Sequence, residues 1–142
     1  MRIALGSDEP SALTSALERE LTQRGHEPVL FGALRPGEDD AWPEVGRAVG
    51  QAVADGTCRF GIACCWTGTG VSIAANKVPG VRAALCCDAQ TAKGARVWND
   101  ANVLALSLRT TTEAVAVEIL DEWFGASPTQ DAKYAPMISR VP

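Results

Sequence analysis

The chain has 142 residues, which suits one domain, and its 46% apolar and 21% charged residues are close to the averages of soluble globular proteins. Disordered and fibrous classes are therefore excluded. A net charge of −4 argues against nucleic acid or an anionic membrane as a partner, because both require clustered lysines and arginines. No run approaches the roughly 20 apolar residues of a membrane span, and the first residues do not resemble a signal peptide, so we expect a cytoplasmic protein.

Five short apolar runs alternate with longer amphipathic stretches along the chain. The runs predict strands at residues 3–6, 27–31, 60–64, 81–86 and 102–106. Helices are predicted at residues 11–24, 42–54 and 112–124, and further helix-length segments separate the other strands. Near-continuous apolar strands that alternate with helices predict an α/β fold with a parallel sheet covered on both faces.

Two segments fall outside this pattern. Residues 32–40 contain Pro36, Gly37 and an acidic run, and we interpret them as a solvated surface loop. The tail, residues 127–142, has three prolines and too few apolar residues for an independent unit. We therefore predict one domain over residues 1–126, followed by an irregular tail that packs on a partner subunit.

Cysteine usage indicates free thiols. The five cysteines are Cys58, Cys64, Cys65, Cys86 and Cys87. Their number is odd and two pairs are adjacent within apolar runs, which is not the pattern of a disulfide framework. Because there is no C-x-x-C spacing and only one histidine, His26, we expect no metal site. His26, in the turn before the second strand, is interpreted as a solvated surface residue.

The ends of the predicted strands hold the residues that could carry chemistry, since ligands of open parallel sheets bind beyond the carboxyl ends of the strands. Three segments lie there: residues 6–8, residues 64–70 and Asp88. The stretch 61–77 is the most informative, because a strand enters a glycine-rich turn and then a small-residue helix. Backbone N–H groups converge at such a turn and can hold a phosphate or a developing oxyanion.

Cys65 lies at the mouth of this turn. Converging N–H groups would stabilise its thiolate and make it a candidate base for proton transfer. A buried small hydrophobic residue is the alternative interpretation of any free cysteine, and position alone does not decide between the two. Cys64 is expected to point to the opposite face of the sheet, and we place it in the core with Cys58, Cys86 and Cys87.

Four segments, taken together and in order, resemble the ribose-5-phosphate isomerase B and galactose-6-phosphate isomerase family. They are Gly6-Ser7-Asp8, the loop from Cys65 to Lys77, the run from Asn76 to Cys86, and Asn99-Asp100-Ala101-Asn102-Val103-Leu104. The resemblance covers nearly the whole chain up to the tail. It implies a Rossmann-like three-layer α/β/α sandwich with a five-stranded parallel sheet, assembled as a homodimer or homotetramer with shared active sites.

The same resemblance implies an enzyme of carbohydrate metabolism. Family members move a proton between C1 and C2 of a sugar phosphate through a cis-enediolate, without metal or organic cofactor. Cys65 matches the family's base, Thr67 a threonine near the reacting end, and Asn99 an asparagine that the neighbouring subunit supplies. Asp8 matches a ligand of sugar hydroxyls, and Arg109 a basic residue near the phosphate. The anion-stabilising amides match Gly68, Thr69, Gly70, Val71 and Ser72.

This chain departs from the family pattern at the strand ends. Glu9 stands where the family commonly has a histidine, Trp98 replaces the ring-opening histidine, and Trp66 replaces a glycine of the loop. The usual tail arginines are also absent, which leaves Lys133 and Arg140 as candidate phosphate ligands.

These departures suggest a substrate that needs no ring opening. A tetrose phosphate is acyclic, whereas a pentose phosphate of the ribose-5-phosphate and ribulose-5-phosphate type forms a ring. Trp66 and Trp98 would narrow the pocket, although Trp98 could equally fill space at a subunit contact. Glu9 could take over part of the acid–base role.

Two other functions stay open at this stage. One is a non-catalytic sugar-phosphate-binding or pairing subunit of the same family, which the retention of Cys65, Thr67, Asp8 and Asn99 disfavours. The other is nucleotide binding at the glycine-rich turn. It is weaker, because no Lys-Ser or Lys-Thr pair follows the turn and T-G-T-G is not a dinucleotide fingerprint.

Overall fold

Five parallel strands form one sheet in the order β2-β1-β3-β5-β4, in a computed structural model that describes all residues 1–142. The strands are β1 (Arg2–Ser7), β2 (Glu27–Gly32), β3 (Phe60–Cys65), β4 (Ala83–Leu85) and β5 (Val103–Ser107). The helices are α1 (Ala12–Gln23), α2 (Trp42–Ala54), α3 (Thr69–Asn76), α4 (Ala89–Asn99), α5 (Glu113–Gly125) and α6 (Ala135–Ile138). The predicted α/β fold with a five-stranded parallel sheet is confirmed.

Side chains of alternate strand residues enter two separate cores, one on each face of the sheet. Helices α1, α4 and α5 cover one face, and α2 and α3 cover the other. Cys64 lies in the first core and Cys65 in the second, as predicted from their adjacency in a strand. The two faces therefore make the expected three-layer sandwich, and Cys65 is on the α2–α3 side.

Polar caps fix the ends of the helices near the strand ends. The Ser11 hydroxyl accepts a hydrogen bond from the Thr14 amide at the start of α1, and Asp88 does the same for Thr91 at the start of α4. Helix α4 ends at Asp100, whose left-handed backbone (φ 46°) is held by ion pairs from Arg82 and Arg96. This arrangement places Asn99 at the last turn of α4.

Several predictions of local structure are wrong in detail. Strand β4 is only three residues long rather than six, and it pairs with β5 alone at the edge of the sheet. Cys87 is exposed rather than part of the core, since it follows this short strand and precedes the cap of α4. His26 is partly buried: its ring centroid lies 4.6 Å from that of Phe124, and burial lowers its pKa.

The tail is not wholly irregular and contacts its own chain. It forms one helical turn, α6, and the Thr129 amide donates to the Val97 carbonyl over 2.8 Å. Tyr134 packs edge-on against Trp98 with ring centroids 5.1 Å apart. The tail therefore lies along α4, next to the residues that the sequence predicts as a partner's contribution to the site.

The contact between α2 and α3 leaves no room for a larger side chain at Gly46. A Cβ there would lie 2.7 Å from the Ala74 Cβ and 2.8 Å from the Val71 carbonyl oxygen. We predict that Gly46→Ala lowers the free energy of unfolding by about 1–3 kcal/mol, measured by urea denaturation. Gly94→Ala is the control, because its Cβ would meet only Trp98 at 3.8 Å in a helix; it should stabilise by about 0.4–1 kcal/mol. Equal stabilities of the two variants would contradict this account.

Candidate active site

A cavity of about 350 Å³ opens at the carboxyl ends of β1 and β3. Its lining residues are Asp8, Trp42, Cys65, Trp66, Thr67, Thr69 and Gly70. Six of these seven were predicted as site residues from the sequence. The cavity thus lies where open parallel sheets bind ligands.

Cys65 is the last residue of β3, and its side chain is 4% exposed. Its carbonyl oxygen accepts hydrogen bonds from the amides of Gly68 and Leu108, over 3.2 and 3.0 Å, so the backbone at this strand end is fixed on both sides. The side chain belongs to the core on the α2–α3 face and also lines the cavity. Both interpretations of Cys65 therefore apply in part: it is nearly buried, yet it contacts the open cleft.

The other buried cysteines are poor candidates for a base. Burial raises the pKa of Cys64 well above its ordinary range and that of Cys86 to about 12, and it also raises the pKa of Cys58. None of the three lines the cavity.

The glycine-rich turn presents free backbone donors to the cavity. Helix α3 begins after Gly68, and the amides of Thr69, Gly70 and Val71 have no hydrogen-bond acceptor within the chain. The amides of Gly68 and Ser72 donate to the carbonyl oxygens of Cys65 and Gly68, each over 3.2 Å, so these two amides are paired within the turn, and their binding of an anion stays a prediction. The hydroxyl oxygens of Thr67 and Thr69 lie 2.6 Å apart, which holds Thr67 beside the free amides.

Asp8 follows β1 and faces the same cavity. One of its carboxylate oxygens, Oδ1, is buried and has no hydrogen-bond partner. Burial, followed by the charges of Glu9 and Asp40, raises the pKa of its carboxyl group. Asp8 thus lines the cavity with a carboxylate that can accept hydrogen bonds, and its role as a ligand of sugar hydroxyls stays a prediction.

Glu9 and Arg109 lie outside this cavity. The backbone of Glu9 bonds to the Ser7 hydroxyl, and its residue is exposed. Arg109 is also exposed, and its amide donates to the Trp66 carbonyl over 3.0 Å. Neither side chain lines the cavity within one chain.

Trp42 is a lining residue that the sequence reasoning missed. It is the first residue of α2 and remains 45% exposed. Its ring lies on Gly70, where an added Cβ would be only 2.8 Å from Cε3 of the indole. The sequence did contain a signal for Trp42: it is a large aromatic residue directly before Pro43, at the start of a predicted helix, where the hydrophobic core does not need an aromatic side chain. Trp42 and Trp66, which is 58% exposed, thus give the cavity two aromatic walls.

Trp98 and Asn99 line a different cavity of about 430 Å³, between α4 and the tail. Its other lining residues are Tyr134, Met137, Ile138 and Val141. Lys133 places its ammonium group 4.9 Å from the Tyr134 ring centroid, whereas Arg140 is exposed and does not line the cavity. Within one chain, therefore, Trp98 does not narrow the cavity of Cys65, and Asn99 does not reach it.

No group of three or more histidine, cysteine, aspartate or glutamate side chains is arranged to hold a metal ion. None of the helices combines the length and the apolar character needed to span a bilayer.

Comparisons with known proteins extend over almost the entire chain. The ribose/galactose isomerase family model matches residues 3–140. D-erythrulose-4-phosphate isomerase of Pectobacterium atrosepticum is 34% identical over 142 residues, which cover 99% of this chain and 93% of that protein. Ribose-5-phosphate isomerase B of Escherichia coli is 38% identical over 126 residues, covering 88% and 84%.

Solved structures agree with this assignment. Ribose-5-phosphate isomerase B of Clostridium thermocellum superposes with a TM-score of 0.88 at 38% identity, covering 99% of this chain and 95% of that one. The type B enzyme of Trypanosoma brucei gives the same TM-score at 35% identity. The resemblance inferred from the strand-end residues is confirmed, and the chain belongs to the ribose/galactose isomerase family of aldose–ketose isomerases.

Proposed function

We propose that this chain isomerises a short, acyclic sugar phosphate of the tetrose class, with Cys65 as the base. The observation that carries the proposal is the position of Cys65, which lines a cavity together with the residues of a turn that has three free amides. The same reaction on a pentose phosphate of the ribose-5-phosphate type is the alternative.

Cys65 carries the proton transfer in this reaction. The Cys65 thiolate removes the proton from the carbon next to the substrate carbonyl, and the electron pair of that C–H bond forms the C=C bond of a cis-enediolate. The carbonyl oxygen takes the negative charge. The thiol then returns the proton to the neighbouring carbon while the hydroxyl proton passes to the other oxygen, so that no further reactant is consumed.

The free amides supply the electrostatic part of the catalysis. Thr69, Gly70 and Val71 are fixed at the start of α3 and can donate to the enediolate oxygen without reorganisation. The hydroxyl of Thr67 lies beside them. Asp8 accepts hydrogen bonds from the hydroxyl groups of the sugar, and the indoles of Trp42 and Trp66 cover its carbon skeleton.

The absence of a histidine near the cavity favours a substrate that is already open. The chain's one histidine, His26, packs on Phe124 away from the cavity. Opening a furanose ring requires an acid–base group, whereas a four-carbon sugar phosphate has no comparably stable ring. The similarity to a protein named for D-erythrulose 4-phosphate supports the same substrate class.

A second copy of the chain completes the site in this proposal, as a homodimer or homotetramer. Asn99 and Trp98 line a separate cavity beside the tail, so they would act in the partner's active site. The domain of residues 1–126 then carries the base and the amides. The tail, residues 127–142, brings Lys133 and Arg140 towards the phosphate of the partner's substrate, with Arg109 as a further cation.

Replacing the base tests the proposal directly. We predict that Cys65→Ala slows the exchange of the substrate C2 proton in deuterium oxide by about 10²–10⁴-fold, because general base catalysis contributes that much. Cys87→Ser is the matched control, since Cys87 is exposed and lies outside the cavity, and its rate should stay normal. Normal exchange by Cys65→Ala would exclude this role, and no exchange by the unmodified protein with any sugar phosphate would indicate a binding subunit.

Asp8 and Glu9 form a second matched pair of carboxylates. Asp8→Asn should lower kcat/KM about tenfold or more, because the charged acceptor for the hydroxyl groups is lost. Glu9→Gln should leave kcat/KM unchanged with tetrose and pentose phosphates, since Glu9 does not line the cavity. A large loss in Glu9→Gln would contradict this and restore its acid–base role.

Asp8 also predicts a pH effect on stability. The pKa of Asp8 is higher in the folded state than its ordinary value of 3.8. The wild type therefore loses stability as the pH rises from 3.8 through the pKa of the folded state. Asp8→Asn lacks this loss, so its melting temperature should exceed that of the wild type near pH 7 and converge with it near pH 3. Calorimetric scans over this range measure the difference; a lower melting temperature of the variant at pH 7 would contradict it.

Trp98 tests the substrate class. Trp98→His places an acid–base group where the family has its ring-opening histidine, so it should raise kcat/KM for ribose 5-phosphate relative to a tetrose phosphate. Trp98→Phe, which keeps an aromatic ring, should retain the preference for the tetrose. A wild type that favours the pentose would contradict the proposed substrate.

A further inference from the structure

A third cavity, of about 360 Å³ and lined mainly by polar residues, lies at the opposite end of the sheet from Cys65. Arg2 and Phe60, the first residues of β1 and β3, line it, whereas Cys65 is the last residue of β3. The two cavities have no lining residue in common. Within one chain, therefore, this cavity is separate from the cavity that Cys65 lines.

Arginine dominates the charge of this cavity. Arg2, Arg59 and Arg82 line it, against one carboxylate, that of Asp100. The chain as a whole has 17 acidic and 13 basic residues, so an excess of positive charge in one concave site runs against the overall composition. Such a group of three arginines can bind a compact anion, because each guanidinium group can donate two parallel hydrogen bonds to a phosphate or carboxylate.

The single carboxylate in the lining does not neutralise these arginines. Asp100 accepts from Arg82 through Oδ2 over 3.0 Å and from the buried Arg96 through Oδ1 over 2.9 Å. Its one negative charge is therefore shared between two guanidinium groups. Arg96 is 4% exposed and its Nε has no hydrogen-bond partner, so its charge adds to the positive potential behind the wall of the cavity.

Arg59 is the arginine that is free to bind a ligand. It has no carboxylate within 4.0 Å, and its Cζ lies 4.9 Å from the ring centroid of Phe60. The buried Arg96 lies 4.7 Å from the same ring. Arg2 is only weakly engaged, since its Nε is 3.6 Å from an exposed carboxylate of Glu27. Two of the three lining arginines can thus turn to an anion at little cost, because exposed ion pairs contribute little.

We propose that this cavity is a second ligand site, which binds a small molecule with two or more negative charges, with phosphorylated compounds as the preferred class. Its volume is within the range of small-molecule sites. The net charge of −4 argues against a nucleic acid as the ligand, because the positive charge is confined to one cavity. Arg2 and Arg59 bind the anion, and Arg82 lines the site while holding Asp100.

Calorimetric titration of the full chain with inorganic pyrophosphate tests the proposal. Arg59→Gln should weaken pyrophosphate binding about tenfold, and Arg2→Gln, an independent variant, should also weaken it. Arg47→Gln is the control, since Arg47 is an exposed arginine on α2 outside the cavity, and its affinity should equal that of the wild type. Inhibition of proton exchange by pyrophosphate reports binding at the Cys65 cavity separately, and Arg59→Gln should leave it unchanged.

Three results would overturn the proposal. The first is that pyrophosphate binds only at the Cys65 cavity, where it inhibits proton exchange, or does not bind at all. The second is equal weakening of binding in Arg59→Gln and Arg47→Gln, which would indicate general surface attraction. The third is tighter binding of citrate than of pyrophosphate, which would exclude phosphorylated compounds as the preferred class. Unchanged circular dichroism of Arg59→Gln is expected, because this exposed side chain has no ion pair to lose.

Discussion

The site depends on the sharp turn by which the backbone leaves β3 and enters α3. Gly68 has a left-handed backbone (φ 75°) at this turn, and a Cβ there would lie 2.8 Å from the backbone carbon of Leu106 and 2.6 Å from the Leu85 side chain. Only glycine meets both conditions. Because the chain can turn here, the end of the central strand and the start of a helix share one cavity, which Cys65 lines together with Thr69 and Gly70.

The proposed chemistry relies on backbone dipoles more than on charged side chains. Three amides at the start of α3 can receive a developing oxyanion, and the one carboxylate that lines the cavity belongs to Asp8. An ion-pair cluster lies at the other end of the sheet, where Arg82 and Arg96 hold the left-handed Asp100 that ends α4. That ion-pair cluster fixes the end of α4 next to Asn99, the residue that in our proposal acts in the site of a second copy.

Much of this arrangement is predictable from the sequence. Apolar runs alternating with helices define the sheet, and the strand-end rule brings Asp8 and Cys65 to one cavity. Tertiary interactions determine the rest. Trp42 reaches the site because the N-terminus of α2 packs over Gly70, a contact that no local pattern shows. The pairing of the Gly68 and Ser72 amides depends on hydrogen bonds within the turn itself. Strand β4 is shorter than its apolar run predicts, and Cys87 is exposed because it lies beyond the end of this strand.

A structure of the protein with an enediolate analogue tests the central claim most directly. A phosphorylated three-carbon hydroxamic acid is suitable, because its nitrogen and three carbons match the four-carbon chain and its two neighbouring oxygens mimic the cis-enediolate. We predict that one oxygen lies about 2.7–3.1 Å from the free amides of Thr69 to Val71, with the Cys65 sulfur against the adjacent carbon position. An analogue bound elsewhere, or a Cys65 sulfur that turns away from it into the core, would contradict the account.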